Sequence, residues 1–358
     1  MNKITNPALA AIMAVCALLL GIGNLAIVNA LQPHYLNNAI IYFVCGIAVA
    51  AAVFFCGTKR LLDIAPYVTA IMLLLLLLTP VFGYNISGAT RWLRIYNFSL
   101  APAMPAMPVL CLFWAYVKEK SSEKISRTQW TILATVTLSA AVLIAFEPFI
   151  QMGFFVIVLG FIMLYLIGFN RKILSIVSIS SVIGFAVIVL TFFKTRPMAQ
   201  YVQLLRRFVE YVELPYHYWI CLKTLQYSVF IGKCQFPPEI SKFNHIPYAT
   251  FDSALVAGCG EFGYLFLITV LLLAFIMILC GAVIASRCAA TSSLRLLAGG
   301  LTAAIAMPAL FNTLMMFGLI PMSSIAFPFL SCGGTAMISN ALALGGIMAV
   351  CRKNSSAE

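Results

Sequence analysis

Apolar residues run through this chain in long blocks, set apart by short polar interruptions. A helix crossing the hydrocarbon core of a bilayer needs roughly 20 apolar residues. The pattern predicts about ten such spans, over residues 7–31, 39–57, 61–85, 102–117, 130–146, 150–168, 173–193, 254–286, 296–320 and 333–351. Each must be helical, because lipid offers no partner to an open backbone hydrogen bond. Residues 194–253, between the seventh and eighth spans, differ from the other connections and are rich in Arg, Lys, Tyr, His and Pro. Connections of that length are usually functional or disordered, and Tyr211, Tyr216, Tyr218 and Trp219 argue against disorder. Short amphipathic helices lying on the outer membrane surface are expected there. The sequence carries no internal repeat, nucleotide-binding glycine loop, metal-ligand cluster or low-complexity tail. Residues 1–358 are therefore read as one polytopic membrane domain.

Composition sharpens that picture. The chain is 63% hydrophobic and 9% charged, whereas a soluble domain carries about 25% charged residues. Too little polar surface is available to cover it in water, so the expected class is an all-α integral membrane protein. The net charge of +12 does not point to nucleic acid, because the basic residues form small clusters between apolar blocks. Lys59 and Arg60, Lys118, Lys120, Lys124 and Arg127, Arg171 and Lys172, Arg287 and Arg295, and Arg352 and Lys353 all fall on the side of Lys3. The short loops opposite carry only Arg91 and Arg94. Cytoplasmic loops hold the excess of Lys and Arg, so both termini are predicted in the cytoplasm and residues 194–253 outside. The apolar run from Pro7 to Leu31 is too long for a signal peptide and reads as the first span of a bacterial inner-membrane protein. Of eleven cysteines, all but Cys221 and Cys234 lie in or beside spans, where Cys behaves as a small hydrophobe. Those two face an oxidising compartment, so a disulfide between them is allowed.

Charge within or at the edge of a span is costly and marks a candidate site. Four residues qualify: Arg91, Glu147, Asp252 and Glu261. Arg91 beside Trp92 could be an interfacial anchor, with the guanidinium snorkelling and the indole in the aromatic belt. Glu147 before Pro148 could cap the next helix, and Asp252, after Pro247-Tyr248-Ala249-Thr250, could be an N-cap. Glu261 lies roughly 13 Å further along a continuous helix. Gly258, Gly260 and Gly263 around it allow a neighbouring helix to approach and offer a partner. Two readings stay open on these residues: a transporter with acidic groups along its path, and an intramembrane enzyme with a carboxylate base at the outer edge.

Three stretches carry a family resemblance. Gly88-Ala89-Thr90-Arg91-Trp92-Leu93 follows G-A-x-R-W-[IL]; Asp252 to Gly263 keeps the spacing of D-F-x-F-A-x-x-x-E-E-[FL]-G. Asn312, Gly318-Leu319-Ile320-Pro321, Pro328-Phe329 and Ser331-Cys332-Gly333-Gly334 follow N-x-G-x-x-x-G-L-x-P-x-T-G-x-P-x-P-F-x-S-Y-G-G. With the span layout and the long loop, the chain resembles the SEDS family of bacterial cell-wall proteins, the FtsW, RodA and SpoVE types. It departs from them at Ala101-Pro102-Ala103-Met104-Pro105-Ala106-Met107, where the family has Q-P-S-E-x-x-K, and at Pro148-Phe149-Ile150-Gln151-Met152, where the family has P-D-x-G-[TS]. The Glu and Lys of the first motif are missing together, which for an ion pair can be nearly neutral.

The resemblance implies a peptidoglycan glycosyltransferase that polymerises lipid II, a disaccharide-pentapeptide on polyprenyl pyrophosphate, during division or elongation. It implies Asp252 as the base on the acceptor hydroxyl. Arg91, Arg206, Arg207, Lys233 and Lys242 would bind the departing pyrophosphate. Trp92, Glu147, Glu261, Asn312, Pro321, Pro328, Ser331, Gly333 and Gly334 would serve structure, and His217 and His245 lie near in sequence. No cofactor is called for, although a divalent cation on the pyrophosphate is compatible with the chemistry. Implied partners are a class B penicillin-binding protein, other division or elongation machinery, and membrane lipid. A lipid II flippase and a non-catalytic scaffold for a transpeptidase are the alternatives.

Overall fold

A computed structural model of the chain describes residues 7–86, 89–95, 98–121, 125–147, 149–169, 216–238, 245–289, 292–320 and 322–355. Helix α1 (Pro7–Leu31) leads through a 3₁₀ turn (Pro33–Tyr35) into α2 (Leu36–Phe82). Three strands follow, β1 (Tyr84–Ile86), β2 (Ala89–Ile95) and β3 (Phe98–Leu100), and then α3 (Ala106–Lys120), α4 (Arg127–Phe146) and α5 (Ile150–Ile167). After the undescribed stretch come α6 (Tyr216–Tyr227), α7 (Ala254–Phe262), α8 (Tyr264–Arg287), α9 (Ser293–Met316) and α10 (Gly334–Ser355). The predicted span 173–193 lies outside the described residues, as do Lys3, Gly88, Lys124, Pro148, Arg171, Lys172, Arg206, Arg207, Lys242 and Pro321.

Among the described residues, seven helical segments are long and apolar enough to cross a membrane. The predicted spans 39–57 and 61–85 are two helical segments within α2 that meet at a kink at Gly57, whose non-helical φ of 77° and ψ of 159° suit a residue without Cβ. Helix α3 starts later than expected, because Pro102 and Pro105 belong to a turn and Pro105 forms its N-cap. The predicted span 254–286 is two helices, broken at Gly263 with φ 89°. A Cβ there would lie 2.6 Å and 2.7 Å from the Phe230 and Val229 carbonyl oxygens. Those carbonyls accept from the Leu265 and Tyr264 amides at 3.0 Å and 2.9 Å, and the Cys234 amide reaches the Gly260 carbonyl at 2.7 Å. The segment after α6 thus caps the first turn of α8, which has no side-chain cap of its own.

The three-stranded sheet was not expected. Strand β2 pairs antiparallel with both neighbours, Tyr84 opposite Trp92 and Leu93 opposite Leu100. Alternation along β2 sends Arg91 and Leu93 to one face and Trp92 to the other, where its ring lies 6.0 Å from that of Tyr84. Helix α6 has one face packed on the bundle: Tyr218, Ile220, Cys221, Thr224 and Leu225 are buried, and the helix packs on α7 and α9. Cys221 and Cys234 are both free thiols in this structure, and Cys221 is buried in that helix.

Helix α10 packs along α2, α8 lies against α9 and α1, and α9 lies against α3. Polar side chains face inward: Asn24, Thr69, Thr79, Thr137, Asn312 and Ser339 are buried. The hydroxyls of Thr69, Thr79 and Thr137 return to carbonyls four residues back at 2.8 Å, and Trp114 Nε1 donates to Thr137 across the α3–α4 contact at 3.0 Å. Large apolar side chains face outward, as Leu265, Ile268, Leu272, Phe275 and Leu279 do along α8. Soluble monomers seldom expose contiguous apolar faces this large. The surroundings that suit this surface are lipid, and the chain is a multi-pass membrane protein.

Candidate active site

Asp252 sits in the turn Pro247–Ser253 that leads into α7. It is not a helix cap: Ser253 holds the N-cap position and no side chain there caps the helix. The turn is held from several directions. Tyr248 has φ 52°, an uncommon left-handed conformation for a residue with Cβ, and its carbonyl accepts from the Phe251 and Ser253 amides at 2.9 Å and 3.2 Å. Thr250 Oγ1 donates to Gln32 at 2.9 Å, and the Thr250 carbonyl accepts from the Cys332 amide at 2.8 Å. Asn312, buried near the end of α9, donates through Nδ2 to the Asp252 carbonyl at 2.8 Å and to the Ile325 carbonyl at 2.6 Å.

The segment 322–333 closes the other side. Ser331 Oγ accepts from the Phe327 amide at 2.9 Å, and Asn24 Nδ2 donates to the Leu330 carbonyl at 2.5 Å. Pro328 is buried there. Gly334, at the start of α10, leaves room for Tyr42, whose ring atoms a Cβ would meet at 2.9 Å. The Ser331–Gly334 motif therefore ties the entry of α10 to the turn that carries Asp252.

Arg91 reaches this region from β2. Its Nε donates to the Glu147 carbonyl at 3.3 Å, and its guanidinium carbon stands 4.5 Å from the centre of the Phe149 ring. That stacking geometry is a cation–π contact. Burial lowers the proton affinity of Arg91, while Asp252 and Glu147 oppose that trend. The side chain is half-buried. Asp252 is half-buried as well, and desolvation pushes its pKa up to about 7, against the pull of Arg91 and a hydrogen bond from Ser324. A carboxyl that ionises near neutral pH, with a guanidinium acting on it, can accept a proton at working pH.

Glu147 lies between α4 and α5, fully buried. It is not the cap of α5, whose N-cap is Phe149 without a side-chain bond. Among the described residues neither carboxyl oxygen has a hydrogen-bond partner of normal geometry. Burial raises its pKa to about 8, with Thr79 and Arg91 pulling the other way. The Thr79 hydroxyl donates its one proton to the Leu75 carbonyl at 2.8 Å.

The partner of Glu261 comes from the segment after α6 rather than from a neighbouring helix. Glu261 stands one residue short of the end of α7, and its carboxylate pairs with Lys233 at 2.8 Å. Lys233, expected to bind pyrophosphate, is thereby matched within the chain while remaining 75% exposed. Arg206, Arg207 and Lys242 lie outside the described residues. Met104 and Met107, standing where the resemblance implies Glu and Lys, line one cavity of about 30 Å³ with Met152, Ser339 and Asn340. Two thioethers thus occupy space beside a void of water size.

Three groups were not singled out from sequence as parts of this site: Phe149 under Arg91, Ser324 beside Asp252, and Ser253 with His217. His217 Nε2 lies 2.7 Å from Ser253 Oγ, whereas His245 contributes only its carbonyl, to the Tyr216 hydroxyl at 2.8 Å. The alternating Thr90–Arg94 stretch could have signalled the strand; the hydrogen bonds between distant segments left no sequence signal.

Residues 7–356 match the model of a family described as cell cycle protein, FtsW/RodA/SpoVE. A probable peptidoglycan glycosyltransferase FtsW of Acinetobacter baylyi is 26% identical over 336 residues, covering 89% of this chain and 83% of the relative. One from a Geobacter species is 25% identical over 284 residues, covering 78% and 75%. Among solved structures, a chain of a peptidoglycan synthase complex superposes with a TM-score of 0.79 at 20% identity, covering 98% of both chains. The rod shape determining protein RodA of Thermus thermophilus gives 0.70 at 18% identity over 96% of both. At such identities the structural likeness speaks for the fold.

Proposed function

The chain belongs to the FtsW/RodA/SpoVE family of cell cycle proteins, and on that premise we propose that it is a peptidoglycan glycosyltransferase polymerising lipid II at the outer face of a bacterial inner membrane. The observation that carries the reading is the setting of Asp252. Its backbone carbonyl is anchored by Asn312 at 2.8 Å, its side chain is excused from capping, and it ionises near pH 7 with Arg91 acting on it. Curated relatives named as probable peptidoglycan glycosyltransferases support the activity.

In this reading Asp252 takes the proton of the acceptor sugar hydroxyl, whose oxygen forms the new bond to the anomeric carbon of the donor. The bond from that carbon to the pyrophosphate oxygen breaks, and the leaving polyprenyl pyrophosphate carries away the electron pair. Arg91 offsets the charge that develops on it. Both termini are cytoplasmic, and residues 194–253 face outside, as the Lys and Arg bias requires. The likeness to a peptidoglycan synthase complex supports a single-span class B penicillin-binding protein as partner, seated on the apolar faces of α8 and α9. Purified protein mixed with labelled lipid II, alone and with such a partner, tests the activity. Glycan polymer that disappears in Asp252→Asn is the expected result; polymer made equally by that variant would remove Asp252 from the mechanism.

A further inference from the structure

We infer that His217 is a positioning residue for Asp252, holding the turn Pro247–Ser253 through the Ser253 hydroxyl; this rests on the glycosyltransferase reading above.

The protons can be followed one by one. Ser253 Oγ donates to the Pro247 carbonyl at 3.0 Å, and a serine hydroxyl has a single proton to give. Toward His217, at 2.7 Å, Ser253 must therefore accept. That fixes the imidazole as the tautomer with its proton on Nε2. Burial keeps the ring neutral, its pKa pushed down to about 4.

A second observation points the same way. Serine is among the best N-cap residues, and a cap bond is worth about 1 kcal/mol to a helix. Ser253 stands at the N-cap of α7 and makes no cap bond. Its hydroxyl is committed instead to closing the turn onto Pro247 and joining it to α6. That closure spans Tyr248, the residue held at φ 52°. Asp252 is thus fixed on both sides: Asn312 holds its own carbonyl, and His217 holds the next residue. Helix α6 is itself anchored, because the Tyr218 hydroxyl donates to the Ile320 carbonyl at 2.8 Å. His217 works through Ser253, from a rigid element, and does not touch substrate in this role.

The test uses the full-length protein in nanodiscs with labelled lipid II, and compares His217→Ala, His217→Gln and Ser253→Ala at equal amounts of folded protein. Misplacing a reacting group by an ångström can cost about 10²-fold, and His217→Ala and Ser253→Ala should each lose about that much in rate. Their double variant should lose no more than either alone, as coupled residues do. His217→Gln keeps an N–H donor and should recover most of the rate. In His217→Ala the acidic limb of the pH–rate profile should also move to lower pH, as Asp252 leaves its desolvated seat; His217→Gln should restore it. A change in folding alone would leave that limb in place. Nitrogen NMR of labelled histidine, assigned by loss of the signal in His217→Gln, should show Nε2 protonated and Nδ1 bare near neutral pH.

Wild-type rate and profile in His217→Ala would overturn the inference while leaving the glycosyltransferase reading intact. So would equal loss in His217→Gln and His217→Ala, or an Nδ1-protonated ring. Wild-type protein that makes no polymer under any condition would remove the glycosyltransferase reading, and the positioning role with it.

Discussion

Two acidic residues, Glu147 and Asp252, share the influence of Arg91, and their surroundings assign them different work. Both are desolvated, and both have raised pKa values, to about 8 and about 7. Glu147 is closed off from solvent, and neither of its oxygens has a hydrogen-bond partner among the described residues. Burial therefore favours its neutral form. Asp252 is only half-buried, bonded to Ser324, and carried on a turn anchored by Asn312. A carboxyl must be reachable as well as basic before it can take a proton from a substrate. Burial alone marks both residues; access separates them.

The comparison breaks first at Asp252. Asp252→Asn should lower polymerisation by about 10²–10⁴-fold, the usual cost of losing a general base, with little change in thermal unfolding. In the wild type the rate should climb as pH rises through about 7, because only the ionised carboxyl accepts a proton. Arg91 comes next. Removing one preorganised charge-stabilising group typically costs about 10²–10³-fold, so Arg91→Ala should fall in that range. Arg91 lowers the Asp252 pKa, so its loss should also move the acidic limb to higher pH. A limb that stays put would uncouple the two residues.

Glu147→Gln should change the rate by no more than severalfold and act on stability instead. Its pKa is raised on folding, so the unfolded chain binds fewer protons between about 4.5 and 8, and wild-type stability falls as pH rises through that window. Thermal unfolding of Glu147→Gln should lack that part of the decline; a variant as pH-sensitive as wild type would mean that Glu147 is ionised. The smallest effect belongs to Glu261→Gln. Its partner Lys233 is exposed, and exposed pairs are weak and screened by salt, so at high salt its melting temperature should match that of wild type.

Hydropathy read the long helices well, since each is a block of apolar residues of bilayer length. The first helix was read at its observed limits, Pro7–Leu31, and the fourth ended as expected at Phe146. The sheet escaped notice because three short strands make no such block, and 84–86 was partly absorbed into the preceding span. The break at Gly263 escaped for a different reason. Its cause is a pair of carbonyls from Val229 and Phe230, more than thirty residues earlier in the chain. At the site, the expense of burying charge picked out Arg91, Glu147 and Asp252. Their differing access, and the bond of His217 to Ser253, arise only where distant segments meet.

The break at Gly263 also bears on how much helix has to cross. A single helix from Ala254 to Arg287 would be about 50 Å long at 1.5 Å per residue, much more than the roughly 30 Å hydrocarbon core. Helix α8 alone, with 24 residues, is about 36 Å long and can cross by itself. The chain therefore has no need to sink α7 into the acyl region. Asp252, at the far end of α7 from the break, is free to stand at headgroup level, where water and sugar can reach a carboxyl but lipid tails do not.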